Sequence, residues 1–146
     1  MDIKIEKAKL EDLNAIMEMG NNTRDFFTAD GEDLFWPKDV VATAIASDDA
    51  IVLVAKDNNK VVGFIMGGIS VSFKKITLEN IFVNHDYRKK GIGAKLCKEI
   101  VNQAHKKGCI YICALTNKVN KFCEKVGFFR GDKFTWYSYP YNKIDD

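Results

Sequence analysis

Apolar and polar residues follow strand-like patterns in some parts of this chain and a helical period in others. Some stretches alternate residue by residue, as in residues 2–8 (DIKIEKA), and others are almost continuously apolar, as on both sides of the polar stretch at residues 57–59. Both patterns predict strands, and two apolar stretches around a polar turn predict a hairpin. The predicted strands are residues 2–8, 50–56, 60–69, 75–84, 109–115 and, as one strand or a hairpin, 128–139.

Other stretches repeat apolar residues every three or four positions, which predicts amphipathic helices. These helices are residues 10–20, 37–47, a segment from Ile92 to at least Ala104, and 117–127. Residues 21–36 have no clean period and are predicted as a loop or a short helix. The resulting order, β α α β β β α β α β(β), predicts an α/β (α+β) fold in which helices cover the faces of one mixed sheet.

Composition narrows the class of protein. The chain has 146 residues, 47% of them apolar and 29% charged, so we expect one globular domain spanning residues 1–146. No apolar run approaches the ~20 residues of a membrane span, and the first residues lack the apolar segment of a signal peptide. We therefore expect a cytoplasmic protein without a membrane partner. Its four cysteines are then expected to be thiols, and with only two histidines we expect no metal site.

Charge is unevenly distributed although the net charge is only +2. Residues 25–49 contain seven acids against one base, and residues 84–107 contain seven bases against two acids. A basic segment attracts phosphate and an acidic one attracts cations, although many such clusters are simply solvated surface. One short basic loop is too little for a nucleic-acid-binding footprint, so we expect no nucleic-acid partner.

Cations and glycines meet where the third long helix is predicted to begin. The sequence DYRKKGIGAKLCKEI (residues 86–100) has three consecutive cations at positions 88–90, followed by Gly91 and Gly93. A helix N-terminus presents unpaired N–H groups and a partial positive charge, and glycines leave room for an anion beside them. The stretch therefore predicts a phosphate cradle, although a basic turn capping a surface helix would look similar. It matches neither G-x-x-x-x-G-K-[ST] nor G-x-G-x-x-G.

The same stretch resembles a known family. ENIFVNHDYRKKGIGAKL (residues 79–96) is similar to the pyrophosphate-binding signature of the Gcn5-related N-acetyltransferases, Arg/Gln-x-x-Gly-x-Gly/Ala after an apolar strand. FCEKVGFF (residues 122–129) is similar to a second block of that family, which usually reads Tyr-Glu-Lys-Leu-Gly-Phe. The resemblance implies a mostly antiparallel sheet of six or seven strands, about four helices, and splayed fourth and fifth strands.

The resemblance also implies binding of acetyl-coenzyme A and release of coenzyme A. Main-chain N–H groups of the loop would hold the pyrophosphate, Arg88 would shape that loop, and the end of the fourth strand would pair with the pantetheine arm. A family Asn that contacts the cofactor would correspond to Asn117 or Asn120, although the spacing is one residue short. The implied cofactor-binding residues are Ile81, Phe82, Val83, Arg88, Lys89, Lys90, Gly91, Ile92, Gly93, Ala94, Asn117 and Asn120.

Glu79 is the candidate general base that would remove a proton from the attacking amine. A carboxylate in an almost wholly apolar strand is costly unless it is paired, hydrated or functional. Strand alternation predicts that Glu79 shares a face with Thr77, Ile81 and Val83. In similar polyamine- and small-amine-acetylating family members, the matching Glu acts as base, often through a water. An ion-paired or edge-exposed Glu is the alternative.

The family's general acid is less clear in this sequence. Cys123 stands where the family often has a tyrosine, and a thiol could protonate a leaving thiolate of similar pKa. A buried structural cysteine is the alternative. Tyr137 and Tyr139 are possible substitutes, as is solvent. The backbone N–H near Val83 is the oxyanion donor that the family implies.

The segment between the first two helices would line the acceptor side in this fold. It contains aromatic and acidic residues, so we expect a cationic acceptor: a polyamine, a small amine, or a lysine or N-terminal amine of a protein. The candidate residues are Phe27, Glu32, Asp33 and Trp36, beside Phe26 and Phe35, and core packing is the alternative for the aromatics. The chain would be a monomer or a homodimer. A family-like module that binds acyl-coenzyme A without turnover is the competing function.

Overall fold

The computed structural model describes residues 1–23, 35–114 and 121–131. The strands are β1 (Ile3–Lys7), β2 (Ala50–Asp57), β3 (Lys60–Ser70), β4 (Lys75–Val83) and β5 (Tyr111–Ala114). The helices are α1 (Leu13–Asn21), α2 (Lys38–Ala46), α3 (Ile92–Lys106) and α4 (Lys121–Lys125), with 3₁₀ turns at Leu10–Asp12 and His85–Tyr87. The predicted order of elements is confirmed from β1 through α4.

The strands form one sheet in the order β1-β2-β3-β4-β5. Each strand pairs antiparallel with the next, except that β5 pairs parallel with β4 after the crossover through α3. The α/β class and the mixed, mostly antiparallel sheet are thus confirmed. The described residues contain five strands rather than the six or seven predicted, because residues 132–139 of the last predicted strand lie outside them.

Helices cover both faces of the sheet. Helix α3 packs on one face through residues spaced at the helical repeat, and the buried ones are Ile92, Leu96, Cys97, Ile100 and Ala104. Helices α1 and α2 pack on the other face around buried residues such as Ile16 and Val41. No helix in the described ranges is long and apolar enough to cross a membrane.

Phe35, which follows the acidic segment in sequence, lies in the core between helices α1 and α2 and the sheet. It is 2% exposed, and a Cβ added at Gly20 of α1 would lie 2.3 Å from its ring. Its ring meets that of Phe64 on β3 edge-on, with centroids 6.2 Å apart. Core packing is therefore the role of this aromatic, and Gly20 is required because any larger side chain would displace the ring.

Candidate active site

Strand β4 loses its β5 partner halfway along its length. The parallel pairing runs from Lys75 opposite Tyr111 to Leu78 opposite Ala114. Beyond Leu78, no residue in the described part of the chain pairs with β4 on that side, while the pairing with β3 continues to Val83. Among the described residues, the second half of β4 thus presents a sheet edge, as the splay implied by the family resemblance would produce.

A β-bulge marks the same point. Leu78 lies opposite Gly67, and Asn80 lies opposite Met66, so Glu79 is an extra residue without a partner on β3. The predicted alternation across Glu79 is therefore wrong. Ile81 and Val83 pack on the α3 side of the sheet with Leu78, because the extra residue resets which face each later side chain takes.

The register also sets the direction of the main-chain groups. The N–H of Asn84 donates to the carbonyl oxygen of Val62 at 2.8 Å. Hydrogen-bonded pairs alternate along an antiparallel ladder, so the N–H and C=O groups of Ile81 and Val83 point away from β3. We call these groups the open edge of β4. They lie where the resemblance places the pantetheine arm and the oxyanion donor.

The loop between β4 and α3 turns sharply through two left-handed residues. Lys89 has φ 60° and Gly91 has φ 79°, and Gly91 is the N-cap of α3. The first α-helical bond is from the N–H of Lys95 to the carbonyl of Gly91, so the N–H groups of the preceding first turn lack intrahelical partners. A Cβ at Gly91 would meet no atom within 4 Å, so backbone conformation rather than crowding requires glycine there.

Gly93 has a different reason to lack a side chain. A Cβ at this position would lie 3.1 Å from the ring of Phe122 on α4 and 3.9 Å from Cδ1 of Ile81. Gly93 thus lets α4 approach the first turn of α3. The motif predicts anion access for both glycines, and it contains no signal for this packing role of Gly93.

Arg88 is turned back onto β4. Its Nε donates to the carbonyl oxygen of Val83 at 2.7 Å, and its guanidinium carbon lies 5.4 Å from the centroid of the Phe82 ring. Both contacts link the loop to the strand end, in line with the expected loop-shaping role. Lys89 and Lys90 are exposed beside it.

Tyr87 links the loop between β4 and α3 to the turn between β2 and β3. Its hydroxyl donates to Oδ2 of Asp57 at 2.8 Å, at the β2–β3 turn. The hydrogen bond lowers the pKa of Asp57 and raises that of Tyr87. Sequence reasoning missed this pair, because the two residues are 30 positions apart and neither stands in a motif that predicts contact.

Glu79 is an exposed residue at the bulge, but its carboxyl group is partly shielded from water. This desolvation raises its pKa above the ordinary glutamate value. No salt bridge involving Glu79 occurs among the described residues, which disfavours the ion-paired alternative there. A carboxylate with a raised pKa in an exposed bulge is suited to accept a proton near neutral pH.

The next residue, Asn80, lies opposite Met66 and faces the α1 side of the sheet. It is 8% exposed, and its Oδ1 accepts a hydrogen bond of 2.8 Å from Nε1 of Trp36. Trp36 packs against the buried cluster under α1 and α2. The sequence singled out Trp36 as a candidate acceptor residue and noted Asn80 only as a polar interruption in the strand.

A cleft of about 830 Å³ opens between α1, the start of β3 and the end of β4. Its lining mixes aliphatic, amide and charged side chains, and the charged ones are Glu18, Lys60 and Arg88. Phe82 forms part of its wall, so the cleft lies on the α1 face of the strand that carries the bulge. Glu18 and Lys60 were not among the predicted site residues, since nothing in their local sequence distinguishes them from solvated surface.

Two thiols lie between α3 and α4. Burial raises the pKa of Cys97 to about 11, with a further contribution from Cys123. Burial, followed by the charge of Glu124, also raises the pKa of Cys123. Both are therefore protonated at neutral pH, and the higher pKa makes Cys123 a weaker proton donor than an ordinary thiol.

Several predicted site residues lie outside the described ranges. They are Phe27, Glu32, Asp33, Asn117, Asn120 and Tyr137, together with Phe26 and Tyr139. Within the described ranges, no group of three or more His, Cys, Asp or Glu side chains is placed to hold a metal ion.

Comparison with known proteins assigns the chain to a family. The family model described as "Acetyltransferase (GNAT) family" matches residues 16–128. The chain is also 30% identical over 95 residues to the probable N-acetyltransferase camello of Xenopus tropicalis, a match that covers 62% of this chain. It spans only 43% of the length of that curated relative.

Solved structures share the fold at low sequence identity. PaiA N-acetyltransferase from Thermoplasma acidophilum in complex with coenzyme A has a TM-score of 0.79 at 23% identity, over 92% of this chain and 94% of that chain. AAC(6')-Iy, in complex with the bisubstrate analogue CoA-S-monomethyl-acetylneamine, has a TM-score of 0.77 at 17% identity, over 96% and 99%. The family resemblance seen in residues 79–96 and 122–129 is confirmed. The chain belongs to the GNAT acetyltransferase family.

Proposed function

We propose that this protein is an acetyl-coenzyme A-dependent N-acetyltransferase that acts on a primary amine by direct transfer. The observation that carries the proposal is the coincidence of three features at the end of β4. These are the open edge, the bulge with Glu79, and the glycine-rich first turn of α3. A structural strand–loop–helix junction needs none of them.

The residues of the loop fit a diphosphate group. The first-turn N–H groups from Ile92 to Ala94 lack intrahelical partners, and a Cβ at Gly91 would meet no atom within 4 Å from residues outside its own turn. Lys89 and Lys90 add positive charge at the same place. The open edge, formed by main-chain groups of Ile81 and Val83, would hydrogen-bond an extended amide-bearing arm as an added strand does.

Acetyl-coenzyme A would supply the acetyl group as an activated thioester. Glu79 would accept the proton of the attacking ammonium or amine through a bridging water, since a lysine-like amine has a pKa of ~10.4 and attacks only when neutral. The N–H of Val83 would donate to the acyl oxygen as negative charge develops there. Protonation of the departing sulfur is assigned to Cys123, to Tyr137 or to solvent.

The acceptor is proposed to be a cationic small amine or polyamine, or an amine of a protein or peptide. The carboxylate of Glu18 in the cleft, together with the acidic residues predicted to line it, supports attraction of a cation. Lys60 and Arg88 on the opposite wall add positive charge. An acceptor that also carries an anionic or hydroxylated part would suit such a mixed lining.

A thiol-release assay across amines, peptides and aminoglycosides tests the proposal. We expect turnover with at least one amine and a loss of about 10²–10⁴-fold in kcat for Glu79→Gln, with the Kd for acetyl-coenzyme A from calorimetry unchanged. Gly91→Val should instead weaken cofactor binding, because a branched residue is strained at φ 79°. Binding without turnover on any amine would favour the acyl-coenzyme A-binding module, and no binding heat at all would overturn both.

A further inference from the structure

Asn80 is one of three buried polar or charged residues in the described ranges, with Asp12 and Lys56. Asp12 and Lys56 form an ion pair with each other at 3.0 Å. Asn80 instead accepts its hydrogen bond from a residue 44 positions away, Trp36. A buried amide that loses its partner costs about 1–3 kcal/mol, so this single bond has a large influence on where Asn80 lies.

The bond joins two points that are fixed for different reasons. Trp36 directly follows Phe35, which is wedged against Gly20, and directly precedes the N-cap of α2. Asn80 directly follows Glu79, the extra residue of the bulge. The hydrogen bond from the indole N–H therefore connects the β4 bulge to helices α1 and α2, which pack on that face of the sheet.

A bulge can move along a strand by one residue, and the move exchanges the faces of the side chains involved. If the extra residue were Asn80, Glu79 would take the ladder position opposite Met66 and would turn towards the apolar α1 face. Loss of the bond to Trp36 would leave a buried, unpaired amide and so narrow the free-energy gap to the shifted register, which is otherwise disfavoured because it buries the Glu79 carboxylate. With the bond, Asn80 stays buried and Glu79 remains the bulged residue.

We propose that the Trp36–Asn80 hydrogen bond is a register clamp that keeps Glu79 at the bulge, so that both residues are positioning residues for the reaction. The inference rests on the proposed function through the role of Glu79. The clamp itself is a statement about strand register, which is measurable without turnover.

Trp36→Phe is the first test, because it keeps an aromatic ring against the cluster while removing the N–H donor along with part of the indole ring. We expect kcat to fall by about tenfold or more, the equivalent of losing one buried hydrogen bond, while the Kd for acetyl-coenzyme A stays within twofold. Amide hydrogen exchange in a β4 peptide containing residues 75–83 should accelerate. Gln103→Met is the matched control, since it removes a 3.0 Å side-chain hydrogen bond to Glu99 on α3 and should change neither quantity.

The double variant Trp36→Phe with Asn80→Leu tests whether strand register is what the bond controls. Replacing both partners by apolar groups removes the unpaired amide, so the midpoint of urea unfolding should return towards that of the wild type. The value of kcat and the exchange rate of β4 should recover as well, because an apolar side chain at position 80 favours the buried face and selects the register with Glu79 at the bulge. If kcat stays low although stability and β4 exchange recover, register does not explain the loss of activity and the proposal is wrong.

Two further outcomes keep the clamp apart from the proposed function. If Glu79→Gln turns over like the wild type, Glu79 is not the base, yet faster β4 exchange in Trp36→Phe but not in Gln103→Met would still support the clamp. Unchanged β4 exchange in Trp36→Phe overturns the clamp whatever the kinetics show. If Glu79→Gln is inactive but Trp36→Phe combines faster β4 exchange with a wild-type kcat, the positioning role is overturned.

Discussion

The two halves of β4 are built from one continuous strand but serve different purposes. The first half, Lys75–Leu78, is paired on both sides, and Ile76 and Leu78 are buried in the α3 core. Within the part of the chain that the structure describes, the second half, residues 79–83, is paired only with β3, and four of its five residues are half-buried or exposed. The bulge at Glu79 separates the two halves.

The difference shows how a sheet can offer a binding edge without losing its stability. Apolar burial in the first half holds the strand, at roughly 25 cal/mol for each Å² of apolar surface removed from water. The main-chain groups of the second half are then available to a ligand, because that half is still held by β3 and by its contact with α3. The comparison predicts that changes in the first half alter stability and changes in the second half alter activity.

Among the variants that test this comparison of the two halves, the largest expected effect is that of Val83→Pro, which removes one N–H from the open edge. The register places this N–H away from β3, so proline should break no sheet hydrogen bond. We expect kcat to fall by about 10²–10³-fold, as for loss of one oxyanion donor, with a small change in unfolding free energy. The measurement is steady-state thiol release alongside urea unfolding.

Phe82→Pro is the control for that variant, because its N–H points towards β3 and its loss should destabilise the sheet. If both prolines lower stability equally, the assignment of the open edge is wrong.

A smaller effect is expected from Ile76→Val in the first half. Ile76 is fully buried in the α3 core, and loss of one methylene there typically costs about 0.5–1.5 kcal/mol. We expect a corresponding drop in unfolding free energy, measured in urea, with kcat and KM unchanged. A fall in kcat larger than the fall in stability would mean that the two halves are not separate.

The smallest expected effect is the change that Glu79→Gln makes to thermal stability as a function of pH. Desolvation raises the folded-state pKa of Glu79 above its unfolded value, so the folded chain holds the proton more tightly. Stability contributed by this residue is therefore greatest at low pH and declines as pH rises through the raised pKa. The variant lacks this decline, and we expect a slightly higher Tm than the wild type at pH 7 and no difference at pH 4. A lower Tm at pH 7 would contradict the desolvated environment.

The sequence predicted the loop and the order of elements well, for physical reasons. Helix and strand periods are local, and Gly91 is needed for a left-handed backbone angle whatever surrounds it. The family motif then placed Arg88 beside the end of β4, where it binds the carbonyl of Val83. Such features depend on a few consecutive residues, so the chain itself contains the information.

The bulge could not be predicted in the same way. Alternation in residues 75–84 predicted a regular strand, and only the register with β3 shows that Glu79 is an extra residue. The partner of Asn80 was equally hidden, since Trp36 is 44 positions away. The second role of Gly93 depends on Phe122 in a helix that follows β5. Each of these features requires knowledge of long-range contacts that a single sequence does not provide.

The hydrogen bond from Arg88 to Val83 has a consequence for ligand exchange at the strand end. A carbonyl oxygen accepts two hydrogen bonds, and the guanidinium already occupies one side of this one. An incoming amide must share the oxygen or replace the arginine, so that contact adds little to the free energy of binding. Tight association would then come mainly from the charged end of the ligand, and trimming Arg88 would loosen the loop while relieving competition at the strand.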